Sequence, residues 1–154
     1  MRRTGAVAAV ACFVLLAGCG DDGPSAPPAE TLVGTWNATA VDLVSVANPA
    51  VRVDLVADFD ATLTLTLSAG DAFTMVLHYA DGGPGGPWGG DATVTGTWSS
   101  TDVLTLQTTP TSQWQFETVL SGTTLTLTEA DTSFDFGSDG TVEDADFGMT
   151  LVRD

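Results

Sequence analysis

The sequence predicts an all-β domain, an eight-stranded antiparallel up-and-down barrel that follows a signal peptide and a disordered tether. Three observations predict it. From Leu32 onward apolar and polar residues alternate with period two, turn-forming residues interrupt the alternation at short intervals, and no stretch beyond the leader carries a helical period.

The elements follow in chain order. Arg2 and Arg3 make a positive start, and Gly5 to Leu16 is an apolar run. A run this short predicts a cleaved signal over 1–18, because a membrane-spanning helix needs about 20 apolar residues. Residues 19–31 are rich in glycine, proline and acid and poor in bulky apolar groups, which predicts an extended linker. Strands are expected near 32–43, 61–68, 72–79, 92–99, 102–108, 113–120, 123–129 and 146–153, with a ninth strand or an extension at 51–55. Leu63-Thr64-Leu65-Thr66-Leu67 and Leu125-Thr126-Leu127-Thr128 show the alternation at its plainest. Connections such as Ala69-Gly70-Asp71 and Ser121-Gly122 are too short for parallel crossovers, so neighbours pair as hairpins. Eight strands in such a meander close on themselves, removing free edges and enclosing packed side chains or one small ligand.

Leu16-Ala17-Gly18-Cys19 resembles the lipobox of bacterial lipoproteins at every position. The resemblance implies lipidation of Cys19, cleavage before it, and attachment to a membrane through acyl chains. Gly20 in the second position after cleavage differs from the aspartate that resembles an inner-membrane retention signal, so the outer membrane is the expected location. Cleavage removes Cys12 along with Arg2 and Arg3. Once Cys19 is acylated, the mature chain has no thiol, and two arginines stand against 20 acidic residues.

Composition excludes several functions. The chain has four arginines, no lysine and a net charge of −16, so binding nucleic acid by phosphate neutralisation is ruled out. Without lysine there is neither a phosphate-loop lysine nor a Schiff base. The single histidine, His78, alternates outward and lacks a thiol or a serine elbow beside it; it reads as an exposed strand residue. The expectation is therefore no enzyme, no catalytic residue, no cofactor and no metal. Asp135 to Asp146 partly resembles a calcium loop, but position three is glycine and position twelve is aspartate. A solvated acidic turn, with Phe134 and Phe136 directed into the core, is the stronger reading.

Val33-Gly34-Thr35-Trp36 opens the first strand, and Arg153 ends the last. Together with the Leu-Thr strands, these residues resemble the Gly-x-Trp opening and late arginine of lipocalins, in particular the lipocalin-like domains of bacterial lipoproteins. The resemblance spans 32–154 in pattern and a few residues in motif. It implies a barrel floor made by Gly34, Trp36 and Arg153, the guanidinium packing over the indole, and a lumen for a small hydrophobic molecule. No Thr-Asp-Tyr-like motif and no substantial C-terminal helix accompany it. A second Gly96-Thr97-Trp98 reads as a glycine bend beside an inward tryptophan or as the mark of a duplication.

The lumen candidates are Phe73, Met75, Tyr79, Trp98, Trp114 and Phe116, which line a cavity or fill it; the sequence does not separate these alternatives. Trp88, inside the glycine- and proline-rich segment 80–91, is either a gate over the barrel mouth or a ring tucked onto its wall. The expected partners are the membrane, through the lipid anchor, and a small hydrophobic ligand, with no protein partner identified. The competing expectation is a structural or protein-interaction module of the envelope with a filled barrel.

Overall fold

The leucines of Leu63-Thr64-Leu65-Thr66-Leu67 are all buried, while the threonines between them face the other side of a single strand. This alternation, repeated along the chain, turns one apolar face inward around a closed eight-stranded antiparallel β-barrel. The computed structural model describes residues 27–80, 83–84, 90–108 and 112–154. The predicted leader with Cys19, and Trp88, lie outside the described residues.

The order is α1 (Ala29–Leu32), β1 (Gly34–Ser45), β2 (Arg52–Asp54), α2 (Leu55–Phe59), β3 (Ala61–Leu67), β4 (Ala72–Tyr79), β5 (Ala92–Ser100), β6 (Leu104–Thr108), β7 (Ser112–Ser121), β8 (Thr124–Phe134) and β9 (Glu143–Arg153). From β3 to β9 each strand pairs antiparallel with the next, and β9 returns to β1, Trp36 facing Arg153 and Ser45 facing Ala145. On its other edge β1 pairs with β3 over Gly34 to Asn37 and with β2 over Asp42 to Val44. Between those two ladders the Val41 N–H would lack a strand partner, and the Asp54 carboxylate accepts it at 3.1 Å. The same carboxylate caps α2 through the Val56 N–H at 3.0 Å, and α2 ends on Asp60 in a left-handed conformation.

The segment near 51–55, read as a ninth strand or an extension, is a ninth strand of three residues, followed by a helical turn. The sequence expectation departs from the structure in two places. The last residues read as tether and the first read as strand form one helical turn, Ala29–Leu32, with Leu32 fully buried. The last hairpin is longer than the alternation indicates, because β8 continues to Phe134 past a bulge between Glu129 and Thr132, and β9 starts at Glu143. One helical turn is too short to show a period, and a bulge breaks the alternation from which strand ends are read.

The register sorts the connections into two ends. The start of β1, the β3–β4, β5–β6 and β7–β8 turns and the end of β9 form the floor. The end of β1, α2 and the β4–β5, β6–β7 and β8–β9 connections gather at the mouth.

Candidate functional site

The floor is sealed by side chains. Trp36 is fully buried, its Nε1 donates to the Leu32 carbonyl at 2.8 Å, and the Arg153 guanidinium carbon lies 4.4 Å from its ring centroid. Arg153 also donates to the Thr31 carbonyl, so one arginine ties the last strand to α1. Gly34 opens β1 opposite Leu67, beside that guanidinium. Around and above this layer Leu65, Leu67, Phe73, Leu104, Leu106, Leu125 and Leu127 are buried. Trp98 is buried among them and donates from Nε1 to the Ser68 carbonyl at 2.9 Å.

Gly96 explains how β5 and β6 close over Phe73. A Cβ at position 96 would stand 2.0 Å from the Gln107 carbonyl oxygen and 2.8 Å from the Phe73 ring. The second Gly-Thr-Trp is therefore a site of close backbone approach beside an inward tryptophan, which is the simpler of its two readings.

The mouth is built differently. A cavity of about 500 Å³ occupies it, a size typical of pockets for small ligands. Its apolar wall comes from Leu63 of β3, Met75 and Leu77 of β4, Val94 of β5, Trp114 and Phe116 of β7, and Phe147 and Met149 of β9. Phe116 and Phe147 pack tilted, with centroids 6.2 Å apart. The cavity exists because the barrel wall separates on one side. Registered pairing between β7 and β8 stops at Glu117 and Thr128, and that between β5 and β6 stops at Gly96 and Thr108. Beyond those points β5 follows β4 and β8 follows β9, leaving the β6–β7 hairpin apart from both neighbours.

Three carboxylates line the same space. Glu129 is in phase with the inward Leu125 and Leu127, and its carboxyl enters the gap, where the Gln115 backbone N–H donates to it. Burial pushes its pKa up from the ordinary value, against that hydrogen bond. Asp131, held at φ 66° in the bulge, lines the cavity from the same strand. Asp91 lies at the start of β5; the Tyr79 N–H donates to it at 3.0 Å, and the His78 ring nitrogen is 2.7 Å away. The Tyr79 N–H first and the histidine second hold Asp91 below the usual carboxylate range. His78 itself is exposed on the outer face.

The six lumen candidates divide between the two ends. Met75, Trp114 and Phe116 line the cavity, whereas Phe73 and Trp98 belong to the packed floor half. Tyr79 is buried beside the mouth under Gly83, where a Cβ would lie 2.7 Å from the ring. Its hydroxyl has no hydrogen-bond partner among the described residues, and burial pushes the phenol up to about 12. Sequence reading missed Leu63, Leu77, Val94, Phe147 and Met149 as lining residues, although all follow from alternation once the register is known. It also missed Glu129, whose signal was present: an acid two residues beyond Leu127 on the inward phase.

The acidic turn after β8 spends its carboxylates on its own backbone. The Asp135 oxygens accept from the Asp139 and Gly140 N–H groups, and Glu143 accepts from Phe136. Phe134 is buried, and Phe136 meets it edge-on at 5.0 Å. Among the described residues no group of three or more histidine, cysteine or acidic side chains is arranged to hold a metal ion.

Comparison with protein-family models, curated proteins and solved structures finds no match to this chain.

Proposed function

We propose that this chain is a lipid-anchored protein of the cell envelope whose lipocalin-like barrel binds a small hydrophobic molecule without covalent chemistry. The observation that carries the binding role is the cavity of about 500 Å³ at the mouth of the barrel, above a packed floor. Its wall is leucine, methionine, valine and aromatic side chains, so transfer of an apolar ligand from water supplies the driving force, about 25 cal/mol per Å² buried. The lipobox-like Leu16 to Cys19 supports the anchor, and Gly20 favours the outer membrane over the inner. The packed floor half supports a second reading, a filled interaction module of the envelope, for that half of the lumen only.

The binding test uses the full chain with Cys19→Ser and the uncharged fluorophore N-phenyl-1-naphthylamine. Saturable enhancement at one probe per chain, lost when Val94→Trp fills the cavity, is expected. A flat titration contradicts the carrier role and leaves the filled-module reading. For the anchor, Cys19→Ser should move the protein from the membrane fraction to the soluble fraction; unchanged fractionation contradicts lipid attachment.

A further inference from the structure

Resting on that reading of the cavity, we infer that its ligand is an amphiphilic cation: an apolar chain or ring system carrying an ammonium-type head. The apolar wall fixes only half of the ligand's chemistry. The other half comes from the carboxylates of Glu129, Asp131 and Asp91, which share the lining with Met75, Trp114 and Phe147.

Lysine and arginine are missing at this end, and His78 already pairs with Asp91. The chain has no lysine, and the two arginines of the described residues are engaged elsewhere. Arg153 is at the floor over Trp36, and Arg52 pairs with Asp42. The ion pairs among the described residues are Arg52–Asp42 and His78–Asp91, so neither Glu129 nor Asp131 is held in one. A fatty-acid carboxylate entering this mouth would meet like charge with no arginine to receive it. A cationic head would meet the acids of Glu129 and Asp131, neither held in an ion pair, and the partial burial of Glu129 strengthens its attraction.

Glu129 adds a geometric argument. An acid on the inward phase of a strand is unfavourable unless something compensates its burial, and in this structure the Gln115 N–H is its recorded partner. The bulge that follows turns Asp131 toward the same space, a use of bulges common beside binding sites. Burial favours the neutral form of the Glu129 carboxyl, and a cationic head beside it would favour the carboxylate.

The test compares three decyl compounds below their micellar concentrations: decyltrimethylammonium, 1-decanol and decanoate. Each is titrated into the full chain carrying Cys19→Ser and read by tryptophan emission and calorimetry. The cation is expected to bind at least about tenfold more tightly than decanoate. Glu129→Gln with Asp131→Asn should shrink that gap to about twofold. Glutamine still accepts from the Gln115 N–H, so the fold is retained. The control, Asp102→Asn with Asp154→Asn, removes the same charge at the floor end and should keep the full gap. Decanoate binding as tightly as the cation overturns the inference and leaves the apolar-ligand reading standing. Loss of the gap in the control pair also overturns it, because the selectivity would then come from the net negative field. Failure of all three compounds to bind removes the inference and the apolar-ligand reading together.

Discussion

The floor and the mouth of the barrel are drawn from the same strands, yet one is packed and the other is hollow. At the floor, β1 and β9 close on Trp36, an arginine covers the indole, and a helical turn brings Leu32 beneath it. At the mouth, β5 and β8 separate from the β6–β7 hairpin. Hydrophobic composition alone does not make the difference, since both ends are lined by leucine and aromatic rings. Continuity of pairing does. Where ladders run to the strand ends, neighbouring side chains approach closely enough to fill the lumen, and where they stop, space remains.

The comparison is sharpest in the two tryptophans. Trp36→Ala should lower unfolding free energy by about 3–5 kcal/mol, whereas Trp114→Ala, on a cavity wall, should cost less than about 1.5 kcal/mol. Equal losses in denaturant titrations would break the contrast. Gly96→Ala tests the closeness of the floor strands. The added methyl cannot fit against the Gln107 carbonyl, so a loss of about 1–3 kcal/mol is expected. Arg153→Ala should cost about 0.5–2 kcal/mol through the lost cation–π contact.

The mouth has its own reporter in Tyr79, the chain's single tyrosine, so absorbance at alkaline pH reads this residue alone. Its phenol should titrate at about 12 rather than at the 10.0 of an exposed tyrosine. An acid whose pKa is raised by folding keeps its neutral form in the native state. Its contribution to stability is present in full below the unfolded value and is lost as pH rises from 10.0 toward about 12. Titration near the unperturbed value would show that the hydroxyl reaches water and that Gly83 does not cover the ring.

Much of the barrel was legible because period-two alternation is a local signal. Leu63 to Leu67 announce their strand, and the pairing of neighbours follows from short turns. Trp36 and Arg153 were legible as a pair only through a family likeness, since 117 positions separate them and only strand closure joins β1 to β9. The helical turn at Ala29–Leu32 was hidden by its length and by the proline-rich segment before it. The hollow mouth was illegible for a different reason. Cavity or core depends on where non-neighbouring ladders stop, and Phe73 and Phe116 look alike in sequence although one is in the floor and one lines the cavity. Glu129 is a residue whose phase already placed a charge inside.

Met75 and Met149 both line the cavity, and Met1 is the only other methionine. A spectrum of methionine methyl groups and tryptophan indole N–H groups, recorded as 1-decanol is added, therefore watches both ends of the barrel at once. The account predicts that the Met75 and Met149 methyls and the Trp114 indole shift together and saturate, while the Trp36 and Trp98 indoles stay in place. Unmoved methionine methyls, or floor indoles that shift in step with them, would contradict a barrel that is solid below and vacant above.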